Sequence, residues 1–375
     1  MNVSPTFSDR LVSLDVFRGL TIAAMVLVNN PGTWASIYWP LEHAEWNGWT
    51  PTDLVFPFFL FIVGVSITLA FARRVREGAV QRALYFKVIK RAAIIFGVGF
   101  FLNLFPRFDF ATVRIPGVLQ RIAVCYLFAS LIFLTTKVRT QFLIALALLV
   151  VYWLLMTRVA APGFAAGDLS KEGSLASYID RLVFGAHVWR QAKVYDPEGI
   201  LSTIPAVATT LFGVLTGHWL RSERTRWDKV VGMFVAGAVC VVIGWAWNPF
   251  FPINKALWTS SYVLFCAGMA AVSLATIMWI VDVHQLKRWT KPAVIYGMNP
   301  IVAFAGSGVL ARLIYSIIKV PYQGQRISLE AAIYNSVFLS WLTPINASLA
   351  FALTFVAFWY GVLYVLYRKN IFVKV

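Results

Sequence analysis

An all-α, polytopic membrane fold is the class this sequence predicts, and three observations predict it. Of the 375 residues, 59% are hydrophobic and only 13% charged, which leaves too few polar side chains to cover a water-soluble chain of this size. Apolar runs of about 20 residues, the length that crosses a bilayer as a helix, recur from one end to the other. Lys and Arg, which bring the net charge to +17, fall in short clusters between those runs. That placement is a topology signal, and no stretch has the basic, soluble character of a nucleic-acid domain.

Ten spans follow, at about 12–31, 52–72, 85–105, 117–136, 140–157, 199–220, 229–247, 257–281, 292–317 and 345–367. The opening MNVSPTFSDR shows no cleavable signal pattern, so the first run is expected to be a retained span. Asp15 and Arg18, three apart on that helix, can pair on one face or anchor its edge. Thr52 and Asp53 open the second span, where a carboxylate suits a helix N-terminus. Arg121 heads the fourth, in RIPGVLQRIAVCY; it either snorkels or joins Arg114 and Gln120 in holding an anion. In the ninth, Pro300 of YGMNPIVAF should break the ladder beside Asn299 and free backbone carbonyls. The segment 328–342 is too short to span. Its Leu329, Ala332, Ile333, Val337 and Trp341 recur at helical spacing and predict one amphipathic helix lying at the interface. Cys125, Cys240 and Cys266 lie inside apolar runs and read as small buried hydrophobes, with neither a disulfide nor a metal site suggested. The whole chain, 1–375, reads as one membrane domain.

With the N-terminus inside, 21 of the 33 basic residues fall on the cytoplasmic side, including the dense block Arg73, Arg74, Arg76, Arg82, Lys87, Lys90 and Arg91. Ten spans then place both termini in the cytoplasm. The longest loop, 158–198, falls outside and carries five acidic and five basic residues; loops of this length are commonly functional. Ser174 can cap a short helix there, with Leu175, Ile179 and Leu182 on one face.

His43 falls on the same outer side, within a stretch from Val28 to Ser66 that has no Lys or Arg. Around it lie Glu42, Glu45, Asp53, several amides and many Trp. An imidazole titrates near physiological pH and can act as nucleophile or general base; it also fits an interfacial aromatic belt with no chemistry at all. No Ser-His-Asp spacing, HExxH or glycine-rich phosphate loop is present.

The run LDVFRGLTIAAMVLVNN…HAEWNGWTPTDLVFPFFLFIVGVS resembles the heparan-α-glucosaminide N-acetyltransferase family and its bacterial NagX-like relatives. The likeness continues in order through RIPGVLQRIAVCYL, YDPEGILSTIPAVATTLFGVLTGHWL, PINKALWTSSYVLF and YGMNPIVAF. It implies a multi-pass protein of a bacterial inner membrane that begins at the catalytic core and forms a homodimer. It implies acetyl-CoA as co-substrate on the cytoplasmic side, an amino-sugar acceptor outside, and surrounding membrane lipid. His43, in HAEWNG, matches the family's catalytic histidine and Asn29 matches a family asparagine. Asn29 or Asn47 would then stabilise the oxyanion, and Glu45, Trp46, Asp53, Asp196, Glu198, Asn254, Lys255 and Asn299 would meet the sugar. The basic Arg18, Arg74, Lys90, Arg91 and Arg121 would hold the acyl donor. Two other readings stand: an amino-sugar permease using Asn299, Pro300 and Arg121, and an acyltransferase acting on another cell-envelope glycan.

Overall fold

Helices stand at every position where an apolar run predicts one, in a computed structural model that describes residues 11–76 and 80–373. In chain order they are α1 (Val12–Val28), α2 (Val55–Arg76), α3 (Gln81–Leu104), α4 (Val118–Thr135), α5 (Val138–Arg158) and the short α6 (Leu175–Phe184). There follow α7 (Ile200–Leu220), α8 (Arg226–Trp247), α9 (Ser260–Met278), α10 (Lys291–Met298), α11 (Pro300–Arg312), α12 (Leu329–Ile333) and α13 (Pro344–Arg368). Among the described residues, eight helices are long and apolar enough to cross a membrane, against the ten spans expected. The two others are α1, which is 17 residues long, and α3, whose first half carries Arg82, Lys87, Lys90 and Arg91.

Burial sorts the helices by place. α7, α9 and α2 are the most enclosed, while α5, α8, α11 and α13 are peripheral. On α8, Val231, Val235, Val239 and Val242 point outward, each a helical turn from the next. An exposed apolar stripe of that kind is what a lipid-facing helix presents.

Two helices can touch closely in lipid only where side chains are small. A methyl on Gly64 of α2 would land on the Thr210 carbonyl of α7, and one on Gly213 would land on the Phe61 carbonyl. The backbones therefore meet at this seam, and Thr68 Oγ1 donates to the Val214 carbonyl across it at 3.0 Å. Around that contact, Leu60, Val207, Leu211 and Val214 join residues of α3, α4, α5 and α9 in the largest core. A second core, with Ile22, Val26, Tyr296, Phe351 and Phe355, ties α1 to α10, α11 and α13. The seam between the two groups, walled by α1, α2, α3, α4 and α11, stays open as a set of cavities.

Several local expectations are corrected. The interfacial helix predicted over 328–342 is shorter: α12 continues as a π-helical turn over Tyr334–Phe338 and then stops. The extra residue per turn rotates the buried face onto Ala332, Tyr334 and Phe338, leaving Val337 and Trp341 exposed. A two-stranded hairpin, β1 (Lys319–Tyr322) and β2 (Gln325–Ser328), precedes it where no strand was predicted. Ser174 does cap α6, accepting from the Ser177 amide, but Leu182 points outward; Leu175, Ala176, Ser177 and Asp180 are the buried face. At the head of α2 the capping residue is Thr50, not Thr52.

The helix break at Pro300 is as predicted, and its use is not. Asn299 is buried, donates from Nδ2 to the Ile371 carbonyl at 3.0 Å and accepts from the Val373 amide at 2.9 Å. It binds the C-terminal segment rather than opening toward the outer side.

Gly213→Val should separate α2 from α7, lowering stability by about 1–3 kcal/mol as overpacked cores do. Thermal unfolding of the detergent-purified protein measures it, with Gly97→Ala as control, because nothing lies within 4 Å of a Cβ there. Equal melting of both variants would remove the close approach from the account of the fold.

Candidate active site

The loop between α1 and α2 is folded around one carboxylate. Asp53 Oδ2 accepts from the backbone amides of Thr50 at 3.1 Å and Ala44 at 3.0 Å, closing the capping box at the start of the Pro51–Leu54 turn. Thr50 Oγ1 donates to the Glu42 carbonyl and Thr52 Oγ1 to the Pro40 carbonyl, so the chain over 40–53 is held at both ends. Gly48 sits at φ +95°, in the left-handed region that favours glycine. Its amide donates to Ile253 at 2.7 Å, and Asn254 Nδ2 donates to Asn47 Oδ1 at 3.1 Å. Those bonds clasp the loop between α8 and α9 onto the His43 loop, which delivers Lys255.

The result is a compact triad. His43 Nδ1 lies 2.7 Å from Asp53 Oδ1, and Lys255 Nζ lies 3.2 Å from the same oxygen. Lys255 Nζ is also 2.9 Å from His43 Nδ1 and 3.4 Å from Nε2. With its proton on Nδ1, the ring donates to Asp53 Oδ1 and avoids two facing lone pairs, and this tautomer is assigned to it. The neutral imidazole therefore keeps its free lone pair on Nε2. Asp53 is almost wholly buried, with 1% of its side chain exposed, against 47% for His43. The carboxylate is structural and orienting, and the imidazole is the group that meets solvent.

His43, Asp53 and Lys255 line a cavity of about 790 Å³, joined by Asn29, Glu45, Trp46 and Glu198. The long loop roofs it through Trp189, Tyr195 and Pro197. Trp46 donates its indole N–H to the Leu169 carbonyl at 2.9 Å and packs edge-on against Tyr195. Arg114 Nε and Nη2 lie 2.9 and 2.6 Å from Asp196, and Nη2 also meets Glu198. Burial works against the Arg114 charge, but Glu198 and Asp196 outweigh it and hold the guanidinium protonated above its ordinary range.

A second cavity, of about 730 Å³, opens at the basic end of the bundle. Arg18, Lys87 and Arg91 line it, and among the described residues Asp15 is the one carboxylate beside them. Asp15 pairs with Arg18 at 2.5 Å as its spacing predicts, and Arg18 Nε also donates to the Gly297 carbonyl at 2.7 Å. The Arg91 guanidinium sits 5.1 Å from the Tyr126 ring centre. Met25 and Phe304 line this cavity and the His43 cavity alike, so two side chains stand at the passage from one to the other.

The sequence-predicted residues divide accordingly. His43, Asn29, Asp53, Lys255, Glu45, Trp46 and Glu198 come together at the His43 cavity, and Arg18 and Arg91 at the basic one. Asn29 is exposed to the His43 cavity, whereas Asn47 is bonded to Asn254 and is not among the lining residues. Asn254 and Asp196 are buried scaffold. Arg121 is also buried, donating to Ser202 and to the Gly199 carbonyl beneath the start of α7, apart from Arg114 and outside both cavities. Lys90 is exposed and not part of either lining. Arg74 lies in α2, and its side chain is outside what is described. Sequence reasoning missed Trp189 and Tyr195, which carry no local signal, and Met25 and Phe304, which read as ordinary core.

Asp180 of α6 supports this roof. Its Oδ1 accepts from the Ile200 amide at the head of α7 at 2.9 Å. Burial pushes its carboxyl up to about 7; the Ile200 bond and Arg121 pull it down, while the Asp196 charge adds to the rise.

A family model described as heparan-alpha-glucosaminide N-acetyltransferase, catalytic, matches residues 10–246. The chain is similar to the heparan-alpha-glucosaminide N-acetyltransferase of Mus musculus, 30% identical over 424 aligned residues that cover 98% of this chain and 61% of the relative. The Homo sapiens counterpart is 30% identical over 428, covering 98% and 60%. The chain thus spans about three fifths of the length of these curated relatives.

Because the folded carboxyl of Asp180 titrates near 7, above its ordinary 3.8, the folded state binds the extra proton between those values. Its contribution to stability is full below about 4 and is lost as pH rises through about 7. Asp180→Asn keeps the acceptor for Ile200 and removes the titration. Melting temperatures from pH 5 to 8 should therefore fall less steeply in the variant, and an unchanged slope would refute the assignment.

Proposed function

The chain belongs to the heparan-alpha-glucosaminide N-acetyltransferase family, and from that premise we propose that it carries an acetyl group across the membrane that it spans. Acetyl-CoA docks at the basic end, which faces the cytoplasm, and the acceptor is the amine of a glucosamine-type sugar in the outer cavity. The protein acts as a homodimer in a bacterial inner membrane. The observation that carries this reading is the pair of cavities, one basic and one built on His43, that share Met25 and Phe304.

Arg18, Lys87 and Arg91 together suit the phosphates of a nucleotide-bearing donor. A slender pantetheine arm is the part of such a donor that can pass between Met25 and Phe304 and bring the thioester to Nε2. The sugar ammonium must lose a proton before its nitrogen can attack. In direct transfer, Nε2 first takes that proton; the free amine then forms the C–N bond, the C–S bond breaks, and the departing sulfur takes the nitrogen's second proton and leaves as the thiol. In the two-step route, Nε2 itself bonds to the acyl carbon as the C–S bond breaks, and the departing thiolate takes the proton of the sugar ammonium. The freed amine then attacks the acyl carbon and expels the imidazole, which leaves with the amine's second proton. Both routes use the same lone pair, and Asp53 serves both by holding the Nδ1 proton and balancing an imidazolium. The Lys255 ammonium and the Asn29 amide are placed to stabilise the negative oxygen of a tetrahedral intermediate. Glu45 and Glu198 favour a cationic acceptor at the rim.

The permease reading loses support from the same geometry. Of its three pathway residues, Asn299 binds the C-terminal segment and Arg121 is packed under α7, while only Pro300 lines a cavity. A permease also has no need of an oriented imidazole.

His43→Ala should lower transfer from radiolabelled acetyl-CoA to glucosamine by at least about 10²-fold. Asp53→Asn, which keeps the shape but loses the charge that fixes the tautomer, should cost about 10²–10⁴-fold in kcat. Wild-type rates in His43→Ala would end the proposal. Protein that becomes labelled without acceptor identifies the two-step route, and no labelling identifies direct transfer. Movement of labelled sugar into CoA-free proteoliposomes would instead support a permease.

A further inference from the structure

A third cavity, of about 450 Å³, opens beside the outer one between the ends of α1 and α3, the start of α4, and α11. The two share Asn29, Trp34, Arg114 and Trp189, so a molecule seated at His43 can extend into it. Among the described residues, Arg114 and Arg312 are the only charged side chains in its lining, which holds no carboxylate.

Those two cations differ in how they are satisfied. Arg114 is neutralised by Asp196 and Glu198. Arg312 makes a single hydrogen bond, from Nη1 to the Gly308 carbonyl one turn back on its own helix at 2.9 Å, and has no ion pair among the described residues. An arginine within a membrane helix is costly without a partner and belongs where it can meet a counter-charge in a wet cavity. Gln120, with 4% of its surface exposed, lines the same cavity, and its Nε2 has no hydrogen-bond partner. The neighbouring donors are already used: Asn30 and Asn103 donate to backbone carbonyls, and so does Ser307. What remains uncommitted is a set of N–H donors with a net positive charge.

We propose that this side cavity is an anion subsite for the acceptor: it receives a carboxylate, sulfate or phosphate group that the acceptor carries beside its reacting amine. The identity of the acceptor rests on the acyltransfer reading; the anion subsite itself does not. The outer cavity binds the amine through its carboxylates while Arg312 and Gln120 bind the opposite charge, so the acceptor is zwitterionic and enters in one orientation. A phospholipid headgroup offers the same anion from the bilayer, and the test separates the two sources.

Calorimetric titration of the detergent-purified full chain, without acetyl-CoA, compares glucosamine, glucosamine 6-sulfate and dioctanoyl phosphatidylglycerol. Wild type should bind glucosamine 6-sulfate at least about tenfold more tightly than glucosamine, as a charge-assisted contact in a partly buried site does. That ratio should fall toward one in Arg312→Gln and recover in part in Arg312→Lys. An unchanged ratio in Arg312→Gln overturns the proposal, as does Arg312-dependent binding of the lipid with no preference between the two sugars. Anion-dependent sugar binding with no acetyl transfer would leave the subsite standing and remove the acyltransfer reading; transfer to glucosamine with no anion preference would do the reverse.

Discussion

One buried carboxylate organises the end of this protein that carries His43. Asp53 closes the turn that starts α2, fixes the Ala44 amide, holds the His43 ring and pairs with Lys255. These roles are inseparable, because one pair of oxygens serves all of them. A carboxylate that accepts two backbone amides and faces a cation stays ionised at low cost. That charge in turn dictates which nitrogen of His43 is free. The Tyr262 hydroxyl donates to the Asp53 carbonyl and ties the turn to α9, so the position of the imidazole is set by the most enclosed part of the bundle.

The open seam is the second constraint. Where α2 meets α7 the backbones are in contact, and where α1 faces α3 and α4 across α11 the packing is left incomplete. Close-packed helices on one side allow the other to remain hollow without loss of the fold. The polar groups at the hollow are tolerated because they line a wet cavity and not lipid. The glycine seam supplies the rigid half of this asymmetry.

Much of this was legible in the sequence, for identifiable reasons. The ten helical positions follow from hydropathy alone, and the Pro300 break from a missing amide. The Asp15–Arg18 pair and the Ser174 cap are local, set by spacing within one turn. His43 stood out by composition and by motif, and Asp53 lay ten residues away in the same loop. What stayed hidden was how distant segments pair. Lys255 reaches His43 across 212 positions, and the Gly48–Ile253 and Asn254–Asn47 bonds explain why. Arg114 and Arg121 sit seven apart yet serve different elements, because one lies before α4 and the other inside it. The π-helical turn at Tyr334–Phe338 shifts a face by a residue that no 3.6-residue period anticipates.

The C-terminal segment held by Asn299 has a consequence for biosynthesis. Asp15 and Arg18, from the first helix, line the same cavity as Phe372 and Val373, beyond the last. Chains fold in the order in which they emerge from the ribosome, so the basic cavity stays unfinished until α13 has been inserted and its tail has reached the break at Pro300. A truncated product can bury most of the bundle and still lack a complete wall on that side. Completion of this wall therefore depends on residues that follow α13, and loss of the segment that Asn299 holds would leave the cavity open on that side.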